Sequence, residues 1–246
     1  MRPNSVRKEK VFHLLIRTSL TELSDAVDMF EINGVKITWL GHDGFKIQDG
    51  SETLVIDPFK LSREERADYV LISHEHFDHC NPEDLKKVVK PNTMVVSIES
   101  CKNELSKLKF KETKIVKPGS TVRLGNFEVK AIPAYNMNKF NESGKHFHPK
   151  SDGKVGYVIK TNNGTTIYHT GDSDLIPEMD NLKPDIALLP VSGTYVMTWQ
   201  EAVEAASRIK PKMAIPMHYG AIVGSVSDAE NFKKKADVKV EILTAE

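Results

Sequence analysis

Downstream of residue 33 the chain alternates short apolar runs with turn residues, a texture of many short strands rather than long helices. Strands are expected over 35–40 and 45–48, forming a hairpin around Gly41-His42-Asp43-Gly44. A third, over 53–56, is stopped by Asp57-Pro58. Further apolar runs predict strands over 69–72, 93–98, 114–117, 121–124, 127–132, 186–189, 213–216 and 238–243. Runs 155–160 and 165–168 pair across Asn162-Asn163-Gly164, a hairpin turn whose residues tolerate positive φ. Helical spacing is confined to a few segments. Ser62 and Glu65 read as a capping box for a helix over 62–68. Asn81-Pro82-Glu83-Asp84 opens another, with Asn as N-cap, Pro in the first turn and acids against the helix dipole. Helices over 101–108, 199–209 and 227–236 follow, and 133–154 is a polar loop rich in Asn, Lys and His. Residues 1–30 differ: Val11, Leu14, Leu15, Leu20, Leu23 and Val27 predict a helical extension, leaving 31–246 as one domain of mixed strands and helices.

Against this background one hexapeptide stands out. His74-Glu75-His76-Phe77-Asp78-His79 places three imidazoles and an aspartate in six positions, on a loop between a buried strand and a helix start. Imidazole and carboxylate suit a divalent cation such as Zn²⁺. In an extended backbone His74 and His76 point to one side and can meet one ion. Asp78 and His79 project differently and can serve a second. The same arrangement recurs elsewhere. The strand over 165–168 leads to His169-Thr170-Gly171-Asp172, the strand over 213–216 leads to Met217-His218, and the loop before Val155 carries His146 and His148. Of nine histidines only His13 lies far from such a position.

Composition narrows the setting. Lys plus Arg equals Asp plus Glu at 34 each, which argues against a general binder of nucleic acid or membrane surfaces. No stretch approaches the ~20 apolar residues of a membrane span. Cys80 and Cys101 are the only cysteines, so a disulfide framework is not expected, and a reducing cytoplasm is the natural compartment.

The order His-x-His-x-Asp-His, loop His, Gly-Asp and late strand-end His resembles the metallo-β-lactamase superfamily over about residues 33–243. Gly41-His42, Ile56-Asp57-Pro58, Tyr168-His169-Thr170-Gly171-Asp172 and Pro216-Met217-His218-Tyr219 are most similar to its stand-alone branch related to L-ascorbate-6-phosphate lactonase. The resemblance implies an α/β fold: an αββα four-layer sandwich of two mixed β-sheets flanked by helices, with metals at one edge. It implies His74 and His76 on a first ion, Asp78, His79 and His218 on a second, and Asp172 bridging them. Where related chains often carry a third histidine for the first ion, Asn136 stands here. His148, then His146, then Asn136 itself are the candidates to replace it. The resemblance leaves His169 behind Asp172 as its orienter and Asp57 holding a histidine or capping a turn. For His42, lining the pocket and shaping its turn stay equally open.

The function implied is that of a dinuclear metal hydrolase. Two divalent ions, Zn²⁺ or Mn²⁺, would share a water and lower its pKa from ~15.7 towards ~7. The resulting hydroxide would attack an ester, lactone or phosphoester of a small substrate, with Asp78 and Asp172 able to accept a proton. Lys139, Lys145, Lys150 and Lys154 flank the His146–His148 loop and could meet an anionic, for example phosphorylated, substrate. Two other readings remain: a nuclease or phosphodiesterase, disfavoured by the zero net charge, and a non-catalytic metal sensor or scaffold. Self-association is left open.

Overall fold

The computed structural model describes residues 29–246, so the expected helical extension lies outside the described residues except for its last two positions. Those two begin a strand that the apolar pattern did not announce: β1, Met29–Ile32. It pairs with β2, Val35–Gly41, which turns through the His42-Asp43 hairpin into β3, Gly44–Asp49. β4, Glu52–Ile56, completes an antiparallel meander. β5 (Tyr69–Leu71), α1 (Pro82–Val88), β6 (Met94–Ser97), α2 (Lys102–Leu105) and β7 (Glu112–Ile115) follow, and β4 to β7 pair in parallel.

The second sheet repeats this plan without repeating the sequence. β8 (Thr121–Leu124), β9 (Phe127–Pro133), β10 (Val155–Lys160) and β11 (Thr166–His169) form an antiparallel meander. β12 (Ile186–Pro190), α3 (Trp199–Ile209), β13 (Met213–Met217), α4 (Val226–Lys235) and β14 (Lys239–Val240) then add parallel strands. Each sheet holds seven strands in sequence order. The fold is the expected sandwich of two mixed sheets with flanking helices. The helices bury small or apolar faces against the sheets: Leu85 and Val88 of α1, Ala202, Ala205, Ala206 and Ile209 of α3, Ala229 and Phe232 of α4. Between the sheets the fully buried Tyr157 donates its hydroxyl to the carbonyl of Ile72 at 2.7 Å. That contact fixes β10 against the segment that enters the hexapeptide.

Several boundaries differ from the pattern. Residues 62–68 are not helical, because their backbone donors go elsewhere: Glu65 N–H to Lys87 O and Ala67 N–H to Val88 O. The Glu65 carboxylate, expected to cap, instead pairs with Lys46 and Arg63. The helix over 101–108 shrinks to a 3₁₀ turn, Glu99–Cys101, followed by α2. The last strand keeps only Lys239 and Val240, paired to the start of β13.

Replacing Tyr157 by Phe leaves the Ile72 carbonyl without that donor in a dry interior. It should lower stability by about 1–3 kcal/mol, read as a drop in urea midpoint at unchanged m-value. No change in midpoint would mean the bond is not a structural tie.

Candidate metal centre

The centre sits where the strands of both sheets end. β5 delivers Ser73 and the hexapeptide, β11 delivers His169 to Asp172, and β13 delivers His218. The hexapeptide folds into a tight turn because His79 N–H and Cys80 N–H both donate to His76 O, at 3.0 and 2.8 Å. Asn81 then caps α1 by accepting from Glu83 N–H at 2.9 Å. Three residues around the centre that are not glycine hold left-handed backbone: His42 (φ 50), Asp57 (φ 40) and His218 (φ 57). Such conformations cost free energy and persist only where surrounding structure enforces them. At Gly171 (φ +59) an added Cβ would meet Val155 O at 2.8 Å, so only glycine lets the Asp172 turn approach β10 so closely.

Two groups of side chains converge, each with donor atoms within 4.8 Å of one another. One comprises His74, His76, His148 and Asp172; the other His42, Asp43, His79 and His218. Asp172 lies between them. Its Oδ2 is 3.4 Å from His148 Nε2 and 3.8 Å from His74 Nε2. Its Oδ1 is 3.3 Å from His79 Nε2 and 3.5 Å from His218 Nε2. One carboxylate thus offers an oxygen to each group.

The outer nitrogens of these histidines are held by the protein. His74 Nδ1 meets Ser73 Oγ at 2.9 Å, and His79 Nδ1 meets Asp57 Oδ2 at 2.9 Å. His218 Nδ1 meets Ser192 Oγ at 3.0 Å. Asp57, fully buried, also accepts from Ser73 N–H and Ser73 Oγ. The inward atoms are bare. Nε2 of His74, His79 and His218, Nδ1 of His42, both oxygens of Asp43 and Oδ1 of Asp172 are buried with no hydrogen-bond partner. Bare buried imidazole nitrogens and carboxylate oxygens facing one another are costly unless a cation meets them, and nitrogen and oxygen donors of this kind fit a divalent metal ion.

Asn136 does not join either group. Its Oδ1 accepts from His148 N–H at 2.8 Å and lies 3.1 Å from His148 Nδ1, while its Nδ2 donates to Tyr195 O at 2.8 Å. It thereby aims His148 Nε2 at the first group. His146 stays outside both, its ring 4.4 Å from that of Phe140. His169 uses both nitrogens internally. Its Nδ1 accepts from Gly171 N–H at 3.1 Å, and Nε2 lies 2.9 Å from the Asp43 carbonyl. Asp78, assigned by the resemblance to a second ion, borders the second group: its Oδ2 lies 3.0 Å from His42 Nε2 and 3.8 Å from His79 Nε2. Asp43 escaped the sequence reading as a site residue, while Lys154, read there as one of four lysines that could meet an anionic substrate, lies beside His76. Asp43 was hidden inside a hairpin turn. Lys154, 2% exposed, lies 3.4 Å from His76 Nε2 and pairs with Glu75 at 2.5 Å.

Charge follows geometry. Burial holds His148 down at about 4, with Asp172 pulling weakly the other way, so its imidazole is neutral near pH 7. Burial likewise keeps His74 well below 6.5. Burial also acts against a charge on His218, but Asp172 and Asp43 outweigh it and raise that group to about 9. Asp172, despite its burial, is held well below the usual carboxylate range by His79 and His218.

The stretch 36–218 matches the family model described as "Beta-lactamase superfamily domain". A UPF0173 metal-dependent hydrolase of Archaeoglobus fulgidus is 34% identical over 229 residues, 85% of this chain and 96% of that protein. One from Thermoplasma acidophilum is 35% identical over 217 residues, 83% of this chain and 92% of the relative. Among solved structures, a proposed metal-dependent hydrolase from Parabacteroides distasonis superposes with a TM-score of 0.73 at 29% identity. It covers 89% of this chain and 99% of that one.

Two outcomes follow from this geometry. Asn136→Ala removes the acceptor that aims His148 and should weaken metal affinity roughly 10–100-fold, the range for outer partners of metal ligands; unchanged affinity by competition with a chelating dye would contradict the role. The second concerns pH. In metal-free protein the raised pKa of His218 stabilises the fold fully below its ordinary 6.5, and that contribution is lost as pH rises through about 9. Metal binding needs the neutral imidazole and so strengthens over the same window. The difference in Tm with and without Zn²⁺, at fixed free metal, should widen from pH 6.5 to 9. A constant or shrinking difference would count against this coupling.

Proposed function

The chain belongs to the β-lactamase superfamily, among its stand-alone metal-dependent hydrolases, and from that premise we propose that it works with two divalent ions on a small ester, lactone or phosphoester. The observation that supports this reading most is the split of Asp172, one oxygen towards each histidine group. Two divalent ions held by these histidines and Asp172 would supply an acidified water and polarise the oxygen of the bond to be cleaved. Zn²⁺ suits the nitrogen-rich donor set and Mn²⁺ is the alternative.

The chain's own residues supply orientation. Ser73, Asp57, Ser192 and Asn136 fix the rings so that each presents a bare nitrogen inward. Asp172 and Asp78 each place an oxygen close to His79 Nε2, at 3.3 and 3.8 Å, and can take up a proton released in the reaction.

Two observations favour an uncharged ester or lactone over a phosphorylated substrate. Lys139, Lys150 and Lys154 are occupied by Asp174 and Glu201, by Glu178 and by Glu75. Meanwhile, Phe77, Met137, Phe140, Tyr195 and Ile222, on the loops that carry the centre, are exposed large apolar side chains. No helix among the described residues is long and apolar enough to cross a membrane. A cytoplasmic setting, consistent with two free cysteines, belongs to the same proposal.

Asp172→Ala should lower bound metal from two ions per chain and reduce kcat/KM by more than about 100-fold, beyond the range for outer partners. The check is metal content by mass spectrometry together with a panel of aryl esters, lactones, phosphomonoesters, phosphodiesters and short RNA. Turnover untouched by the substitution would sink the dinuclear reading. Turnover of RNA alone would favour the nuclease, and bound metal with no turnover on any member would favour a sensor.

A further inference from the structure

His148 reaches the first group from a segment that the apolar core does not hold. We propose that residues 136–148 form an arm carrying His148, closed by one ammonium, Lys139, set between Asp174 and Glu201, and that Lys139 is thereby a positioning residue for the first ion. The part that concerns the ion rests on the dinuclear reading above; the arm itself does not.

The arm leaves β9 and returns towards β10. Its two sides pair at the base, where Asn136 N–H donates to His148 O at 2.8 Å. Further out, Phe147 N–H donates to Lys139 O at 3.3 Å, Asn141 N–H donates to Lys145 O at 2.8 Å, and Phe140 bridges His146. The result is an irregular hairpin whose basal residue is His148. A two-stranded hairpin is marginally stable by itself and needs something to pack on. Here no apolar side chain of 136–148 belongs to the core, and Met137 and Phe140 are 51% and 52% exposed. Phe147 touches Tyr195, with ring centroids 4.7 Å apart. The rest of the arm's attachment is polar.

Those polar contacts meet at two carboxylates. Asp174 is buried and follows Asp172 by two residues; its Oδ2 accepts from Met137 N–H at 2.7 Å and from Asn138 N–H at 2.9 Å. Glu201, in the first turn of α3, accepts from Asn138 Nδ2 at 2.6 Å and from Lys139 Nζ at 2.8 Å. The same carboxylate closes the helix cap by accepting from Thr198 N–H at 2.7 Å. Lys139 Nζ also lies 3.4 Å from Asp174 Oδ1, an atom with no hydrogen bond of its own. Among the described residues Lys139 is the one cation paired with Asp174. A buried carboxylate that loses its cation is left uncompensated, at a large cost in free energy. Lys139, with 13% of its side chain exposed, thus ties the arm to the loop of Asp172 and to α3 by contacts that salt screens little.

This chain of contacts ends on the ligand. The Lys139 carbonyl takes Phe147 N–H, and the next residue is His148, whose Nε2 stands 3.4 Å from Asp172 Oδ2 and 3.3 Å from His76 Nδ1. Asn136 fixes the ring within the arm; Lys139 fixes the arm against the rest of the fold. Loss of the first misaims the ring, and loss of the second lets ring and arm depart together. His74 and His76 sit on the hexapeptide, and His79 and His218 on other strand ends, so none of them depends on the arm. The defect expected from an open arm is confined to the first ion.

The test combines amide hydrogen exchange with Co²⁺ affinity, on the full chain and its Lys139→Met, Lys139→Arg and Glu201→Gln variants. In metal-free protein the amides of 137–147 should exchange faster in Lys139→Met than in the unaltered chain, with those of β9 and β10 unchanged. In Co²⁺-loaded protein, competition with a chelator followed by visible absorption should find one of two equivalents held about 10–100-fold more weakly, the range for outer partners of ligands, and the other unaffected. Lys139→Arg keeps the charge and should behave as the unaltered chain does. Glu201→Gln retains an acceptor for Thr198 N–H, removes one of the two charges, and should show the same selective effect to a smaller extent; it also serves should Lys139→Met fail to fold. Faster exchange throughout the chain with equal weakening of both equivalents would make Lys139 a general structural contact and overturn the proposal. So would unchanged exchange in the arm, or a loss in Lys139→Arg as large as in Lys139→Met. Uptake of fewer than two equivalents by the unaltered chain would overturn the dinuclear reading instead, while exchange in the metal-free protein still decides whether Lys139 closes the arm.

Discussion

The structure depends on one buried carboxylate among four imidazoles. Asp172 stands within 3.3 to 3.8 Å of His79, His218, His148 and His74, and these four histidines come from two strand ends and a loop while Asp172 comes from a third strand end. In a protein interior such a group is tolerated only with well-placed positive partners. The architecture supplies them by bringing the ends of parallel strands from two sheets to one edge. Around that edge the chain accepts left-handed backbone at His42, Asp57 and His218 and a glycine-only approach at Gly171. Local strain, bare donors and converging strand ends all point at the same space.

Much of this was legible in the residues. The hexapeptide, the Gly171-Asp172 turn and His218 each follow an apolar strand, and strand ends are where a two-sheet sandwich gathers functional groups. Asn136 was legible as a departure, and its physical meaning came from contacts: it orients His148 instead of replacing it. Asp43 was harder to read. In sequence it lies in a four-residue turn flanked by glycines, where aspartate is ordinary turn chemistry. Only the long-range contacts of His42 and Asp43 with His218 and His169 set that turn apart from any other hairpin.

The failures have the same origin. Residues 62–68 carry a capping pattern, yet Glu65 is used by Lys46 and Arg63, and the backbone bonds along α1. Local propensity lost to tertiary partners that no local window contains. The twofold plan of the fold, a meander followed by parallel strands in each sheet, was equally invisible, because the halves share topology and not residues. Lys139, Lys150 and Lys154 of the loop over 133–154 looked available for an anion until their carboxylate partners came into view.

The central claim is that one carboxylate joins two ions. Anomalous diffraction from crystals grown with Mn²⁺ or Zn²⁺ tests it most directly. The account predicts two peaks ~3.5–4 Å apart, one on each side of Asp172 with an oxygen of its carboxylate directed to each. A single peak within the His74, His76 and His148 group, with His42, Asp43 and His218 left clear of any ion, would contradict it.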